Sequence, residues 1–355
     1  MRKVLHLHAG FHKTGTTAIQ DYLFNADLDP EYTYFHTGIA NSSFIMLQAF
    51  KQDISDDPQF RKNEFTPENI TQIRERARMR LAARLSEIDQ AHTILSAESI
   101  GTFTPAECAD LYEFLKPYYD DIRVYVYIRP LKSRMESAFQ ENLKSRYRSL
   151  DERFPFRFET IIGKFDQCFG SSQVSISKFS RDALMGGDVV SHFMSQVGLD
   201  KKSSGRSEVN TSLSLPAIQL LYIYRKYFPQ KQLGDPERIQ MLASLPGENL
   251  HFHSTLFKAL LNNPEGDLDW LKHRAGFSIT EDIEADDHNS IRSERDLTDI
   301  PAESISWLKA QQGNFLGRVQ IRDSNLRSIA MGVRRLRSVA TITRLLRRQK
   351  TLLGS

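Results

Sequence analysis

The stretch Gly10-Phe11-His12-Lys13-Thr14-Gly15-Thr16-Thr17 holds the residue types that bind a polyanion. Its glycines let backbone amides approach a ligand closely, its threonines offer hydroxyl donors, and Lys13 brings a mobile positive charge. An apolar run precedes it and a helical pattern follows. That order builds a cradle in which loop N–H groups and the positive end of a helix converge on a phosphate or a similar anion. The spacing is not that of the ATP-binding P-loop, which places lysine after the second glycine. Here Lys13 precedes Gly15, and Thr16 follows it. The clearest later strand ends in Arg129, and none ends in the aspartate a nucleoside triphosphatase uses to help hold magnesium. Lysine and arginine without a metal carboxylate suit a phosphate–sulfate anhydride better than ATP–magnesium.

An attacking hydroxyl at such a site needs a general base, and two residues are candidates. Glu98, in ILSAESIG, follows a predicted strand, and ligands of open α/β sheets gather at strand ends. His36, in YFHTG, follows the first helix. His6, His8 and His12 form a spaced string that invites a zinc reading, but no carboxylate or cysteine lies nearby, and no metal is expected. Asn210 and Ser212 are candidates for ordering the site, or for opening a helix.

Alternating short strands and helices position these groups, a pattern that predicts a three-layer α/β fold around a parallel sheet. Val4–His8 reads as a strand and Thr16–Asn25 as its helix. Ile70, Ile73, Ala77, Leu81, Leu85 and Ile88 recur at helical spacing behind the cap Thr66 and Pro67. Thr93–Ser96 is a second strand, and Thr104 with Glu107 forms a capping box. Arg123–Ile128 is rich in β-branched and aromatic residues, and a helix runs from about Lys132 to Lys144. Helices near Phe158–Phe169 and Asp188–Val197 flank a strand at Gln173–Ser177. Beyond Asp200 strand signals fade, and Leu215–Tyr227 and Ser254–Leu261 read as helices. The predicted organisation is one domain over 1–320, with an α/β core over 1–200 and a mainly helical part over 201–320.

HKTGTTAIQ resembles the 5′-phosphosulfate loop of sulfotransferases that use 3′-phosphoadenosine 5′-phosphosulfate (PAPS), in particular the bacterial and carbohydrate-type branch. IRPLKSRMES is similar to that family's 3′-phosphate motif, in which a strand-end arginine and a serine on the next helix hold the 3′-phosphate. Pro130 follows the arginine directly, where the family often places proline one residue later. VSISKFSRDAL, GGDVVSHFMSQVG and NTSLS are similar to later segments of bacterial members, so the resemblance covers roughly the first 220 residues.

The resemblance implies a P-loop-like fold, PAPS as sulfuryl donor and adenosine 3′,5′-bisphosphate as product. It implies that Lys13 neutralises the leaving group and that His12, Lys13, Thr14, Gly15, Thr16 and Thr17 line the phosphosulfate. Arg129 and Ser137 would take the 3′-phosphate. The acceptor expected from that branch is a hydroxyl of a carbohydrate or glycolipid, and no nucleic acid is expected. A kinase using ATP–magnesium and a non-catalytic nucleotide or polyanion binder are the competing readings.

The 355 residues are 40% hydrophobic and 26% charged, enough to bury a core. Cys108 and Cys168, the only 2 cysteines, build no disulfide framework and predict thiols in a reducing, cytoplasmic setting. No run reaches the ~18 apolar residues of a membrane span. The net charge is +3, but Arg322–Lys350 carries about +8, leaving about −5 elsewhere. Leu326, Ile329, Val333, Leu336, Val339 and Leu346 stand among those arginines. The segment 321–355 is therefore expected to be a basic amphipathic tail, either bound to anionic lipid or a polyanion or packed on its own domain.

Overall fold

The structure is a computed structural model. It describes residues 2–11, 13–55, 60, 66–201, 212–263, 265–280, 283–284, 290–311, 321–322 and 325–336. In chain order its elements are β1 (Val4–His8), α1 (Thr16–Asn25), β2 (Tyr32–Tyr34), α2 (Ser43–Phe50), α3 (Pro67–Ser86), β3 (His92–Ser96), α4 (Pro105–Leu115), β4 (Asp121–Ile128), α5 (Leu131–Ser145), β5 (Phe154–Pro155), α6 (Phe158–Phe169), β6 (Val174–Lys178) and α7 (Val189–Val197). Then follow α8 (Leu215–Tyr227), α9 (Asp235–Leu242), α10 (Ser254–Leu260), β7 (Leu261–Asn262), α11 (Asp267–Ala275), α12 (Glu294–Thr298), α13 (Ala302–Gln311) and α14 (Leu326–Arg334).

The chain divides into two compact units, each assembled from separate segments. The first holds Met1–Pro130, Phe156–Val209 and Asn263–Ile279; the second holds Leu131–Pro155, Asn210–Asn262 and Thr280–Ser355.

The first unit carries the predicted parallel sheet, five strands in the order β2-β3-β1-β4-β6. All five residues of β1 are buried, so it is a central strand with helices on both faces. On one face α1 and α7 pack through Ile19, Tyr22, Leu23, Phe193 and Val197 onto Ile94, Tyr125 and Tyr127. Alternation along β4 turns Val124 and Val126 the other way. There α6 lies against β4 and β6, and α4 packs on α6, completing three layers.

Capping chemistry sets two of the helix starts. Thr104 and Glu107 form the predicted box, with Thr104 N–H donating to the Glu107 carboxylate at 2.8 Å and Glu107 N–H to the Thr104 hydroxyl at 3.2 Å. Thr66 caps α3 with Asn69 as its reciprocal partner. Each such cap contributes about 1 kcal/mol.

The order of the strands decides where the loops meet. From β1 the chain crosses to β2 and β3 on one side, and from β3 it crosses to β4 and β6 on the other. The crevice at the strand C-termini beside β1 is therefore a topological switch point, the usual ligand position in open α/β sheets.

The second unit is mainly helical. Phe139, Tyr222 and Phe252 cluster in its core, and Asp235 is buried between Arg225 at 2.7 Å and Arg238 at 2.8 Å. Helix α14 packs on α8 and buries Ile329 and Val333, with Leu336 buried just beyond it. Three residues of the expected amphipathic stripe thus belong to this unit's core. Leu326 is half-buried at the start of α14, and the part of the segment beyond Leu336, including Val339 and Leu346, lies outside the described residues. No described helix is long and apolar enough to cross a membrane.

Candidate functional site

The cradle begins where β1 ends. Two residues of the loop take the left-handed conformation, Lys13 at φ 67° and Gly15 at φ 76°. Gly15 is also the N-cap of α1 and offers no side chain to satisfy the helix amides. The first intrahelical bond runs from Ile19 N–H to the Gly15 carbonyl at 3.2 Å, so the amides of Thr16, Thr17 and Ala18 precede the hydrogen-bonded ladder. A helix start of this kind presents donors and about half a positive charge to an anion.

The side chains of the loop divide by direction. Lys13 and Thr17 are exposed, whereas Thr14 and Thr16 are buried. Thr14 donates its hydroxyl to the Phe11 carbonyl at 2.6 Å, so it braces the turn from inside. The Thr16 hydroxyl is buried without a hydrogen-bond partner. His12 lies outside the described residues.

Gly15 is required twice, by its backbone and by its neighbours. A Cβ there would stand 2.7 Å from Val189 Cγ1 and 3.0 Å from the Phe179 ring. Gly15→Ala therefore combines a left-handed penalty of about 1 kcal/mol with a clash against α7. We expect a lowered melting temperature and weakened anion binding, measured by thermal denaturation and calorimetry. An unchanged melting temperature would show that the loop relaxes freely.

Arg129 emerges from β4 on the same edge of the sheet. Its Nη1 donates to the Lys13 carbonyl at 3.5 Å, and its guanidinium lies 5.9 Å from the centroid of the Phe179 ring. The sequence separation of 116 residues between Lys13 and Arg129 is closed by adjacent parallel strands. Ser137 is half-buried on α5, in the second unit.

Glu98 opens a short 3₁₀ turn, Glu98–Thr102, directly after β3. Several contacts pin that turn. Ala97 N–H donates to the His8 carbonyl at 3.0 Å, and Ser99 N–H donates to Ser43 Oγ at 3.2 Å. Buried Lys164 donates to the carbonyls of Gly101 at 2.7 Å and Phe103 at 2.6 Å. Burial lowers the Lys164 pKa to about 8. Glu98 is near enough to the buried His8 ring to favour its protonated form, against a larger effect of burial that brings the ring to about 4.

His36 follows β2, the outer strand of the sheet. Its ring meets Phe24 edge-on at 5.0 Å, and its Nδ1 accepts from Gly38 N–H at 3.2 Å. Phe24 lies in the last turn of α1, about 12 Å along the helix axis from Thr16. The structure therefore brings Lys13, Thr16, Thr17, Arg129 and Glu98 to the C-terminal edge of the sheet, and places His36 on that edge after the outer strand β2, against Phe24 of α1.

The histidine string goes to separate destinations. His6 Nδ1 meets the Tyr125 hydroxyl at 2.9 Å, and its Nε2 meets His92 at 3.1 Å. His8 Nδ1 meets Ser96 Oγ at 2.8 Å. Among the described residues no group of three or more histidine, cysteine or acidic side chains could hold a metal. Ser212 is exposed ahead of α8, and Asn210 lies outside the described residues.

Sequence reasoning missed Phe179, Ser96 and Gln20. Gln20 donates to Ser96 Oγ at 3.1 Å from beneath the loop. A helical spacing of four from Thr16 to Gln20 is the signal that puts both on the sheet-facing side of α1.

Among solved structures, a sulfotransferase from Alicyclobacillus acidocaldarius aligns with a TM-score of 0.32 at 12% sequence identity, covering 60% of this chain and 87% of that one. No protein-family model matches the chain, and no curated protein matches it.

Proposed function

We propose that the chain transfers the sulfuryl group of PAPS to an acceptor hydroxyl. The observation that carries this reading is the meeting of the two motif regions. Arg129, from the arginine–serine motif, contacts the Lys13 carbonyl of the glycine–threonine loop. Arg129 and the loop that carries Lys13 then stand together beside an open helix start, an arrangement that suits a nucleotide with anionic groups at both ends.

Sulfuryl transfer resembles phosphoryl transfer in its loose, in-line transition state, so positioning and charge placement supply most of the catalysis. PAPS supplies the activated sulfuryl group. The amides at the start of α1 and the hydroxyls of Thr16 and Thr17 hold the 5′-phosphate. Lys13 stabilises charge on the bridging oxygen as the leaving group departs. Arg129 and Ser137 take the 3′-phosphate, on the strength of the IRPLKSRMES motif. Glu98 receives the proton of the acceptor hydroxyl, its backbone held by the 3₁₀ turn and Lys164. The acceptor class proposed is a carbohydrate or glycolipid, on the branch resemblance alone.

Calorimetric titration with adenosine 3′,5′-bisphosphate and, separately, with ATP–magnesium tests the assignment. Binding of the bisphosphate, weakened in Arg129→Ala, is the expected result, together with weak binding of ATP. Glu98→Gln should keep bisphosphate affinity and lose about 10²–10⁴ in turnover. Preference for ATP–magnesium would favour a kinase. Bisphosphate binding without turnover on any hydroxyl acceptor would favour a non-catalytic binder.

A further inference from the structure

Beneath the loop lies a line of buried polar groups, of which the sequence motifs assign a role to Thr16 alone. Gln20, Ser96, His8 and Thr16 are 3%, 0%, 0% and 4% exposed. Gln20 Nε2 donates to Ser96 Oγ at 3.1 Å, and Ser96 Oγ meets His8 Nδ1 at 2.8 Å. The line then stops at two orphans, since His8 Nε2 and Thr16 Oγ1 are both buried without partners. They are neighbours across the same gap. A Cβ on Gly10 would stand 2.5 Å from Thr16 Oγ1 and 3.3 Å from His8 Nε2. Two orphaned polar atoms that converge on a glycine at the base of an anion cradle are costly unless the working site uses them.

Donor and acceptor counting gives the line a direction. The Gln20 amide donates, so Ser96 accepts with its oxygen and retains its own hydrogen to give. The Tyr34 hydroxyl, a hydrogen-bond neighbour of Ser96, directs its own hydrogen to the Ala40 carbonyl at 2.5 Å, so it does not feed Ser96 and competes with His8 Nδ1 as the acceptor of the Ser96 hydrogen. If Ser96 donates to His8 Nδ1, the neutral ring must carry its single proton on Nε2. Burial keeps that ring neutral at physiological pH.

We infer that His8 is a positioning residue of the anion cradle: a relay runs Gln20 → Ser96 → His8 → Thr16, with the His8 Nε2–H donating to the Thr16 hydroxyl. Thr16 is thereby left with only its hydrogen to offer outward. A phosphate oxygen accepts and never donates, so the relay presents the polarity such a ligand needs. The last link requires the Thr16 hydroxyl to turn toward His8 Nε2, into the space that the missing side chain of Gly10 leaves. The inference rests on the cradle binding a phosphate, and it adds a specificity device: anions with acceptor oxygens are favoured over ligands that present a donor at that point.

The test combines a spectroscopic and a thermodynamic readout on the full chain. Nitrogen-15 NMR of histidine-labelled protein should show His8 as the Nε2–H tautomer, and Ser96→Ala should abolish that preference. Thr16→Val and His8→Phe should each weaken adenosine 3′,5′-bisphosphate binding about tenfold, the scale of one hydrogen bond to a charged group. The double variant should lose no more than either single one, because both break the same relay. Thr16→Ser, which keeps the hydroxyl, should recover most of the affinity that Thr16→Val loses.

An Nδ1–H tautomer would mean that Ser96 passes its hydrogen to Tyr34, and the relay would be refuted. Multiplicative losses in the double variant would refute it as well. The tautomer is read in the unliganded wild-type protein, so it decides the matter even if His8→Phe fails to fold. Wild-type protein that binds no bisphosphate would overturn the proposed function instead, with the tautomer still deciding the hydrogen-bond order.

Discussion

On the proposed function, Lys13→Met is expected to lower sulfuryl-transfer turnover by about 10²–10³-fold and to leave the melting temperature unchanged. The rate loss is that expected when one charged group is removed from the site where negative charge develops. The stability is spared because the Lys13 side chain is exposed. A second substitution separates charge from backbone. Lys13 holds a left-handed conformation at φ 67°, which costs a residue with a Cβ about 1 kcal/mol and costs glycine nothing. Lys13→Gly should therefore be as inactive as Lys13→Met yet more stable than the wild type, with bisphosphate affinity reduced in both. Turnover by acceptor assay and melting by calorimetry read the two effects. If Lys13→Met loses stability together with activity, the lysine holds the loop rather than the leaving group.

The second large effect is acid sensitivity beginning well above the carboxylate range. His6 is brought to a pKa of about 3 by burial first, then by the neighbouring His92 and Arg123. His8 is brought to about 4 by burial, with Glu98 opposing. Both folded values lie below the ordinary 6.5, so as pH falls the unfolded chain takes up the two protons first. Stability contributed by the neutral rings is present above pH 6.5 and is lost as pH falls through the folded values. The slope reaches about 2.7 kcal/mol per pH unit when both rings are protonated only in the unfolded chain. His8's share ends near pH 4 and His6's near pH 3. Denaturant unfolding at pH 7, 6, 5 and 4 measures this, and His8→Phe should cut the slope between pH 6 and 5 to about half. A flat profile over that interval would show that water reaches the rings.

Both predictions turn on residues whose types were legible in the chain while their surroundings were not. Gly10–Thr17 announces an anion cradle from composition and spacing alone, and Lys13 stands out as its cation. Neither the left-handed φ of Lys13 nor the burial of Thr14 and Thr16 can be read from that string. All three threonines look like equal donors until the turn directs Thr14 back to Phe11. His6 and His8 share a strand face, which is readable from their spacing. Their different partners, Tyr125 and His92 for one and Ser96 for the other, come from strands that follow only after many residues.

The elements show the same division. β1, β3, β4, β6, α1, the Thr66 cap of α3 and the capping box of α4 follow from local pattern, since strand composition and cap residues act within a few positions. β2 was not apparent, because three half-polar residues at a sheet edge carry too little periodicity to register. α2 was not apparent either. SFIMLQAF is nearly all apolar, and a short apolar run does not distinguish a buried helix from a buried strand. Ile329, Val333 and Leu336 form a stripe in either case, and only the presence of α8 decides that the stripe faces inward.

The amino-acid sequence by itself determined the strand–loop–helix, the identity of the cations and the parallel α/β class, because each depends on neighbours within a turn or a strand. Tertiary structure alone decided that Arg129 reaches the Lys13 carbonyl, that Glu98 stands near His8 while His36 goes to Phe24, and that the unpartnered polar atoms of His8 and Thr16 both lie beside Gly10. The first of these depends on strand order and register, which join residues 116 positions apart through the parallel pairing of β1 with β4. No local pattern carries that information, because register is a property of the assembled sheet.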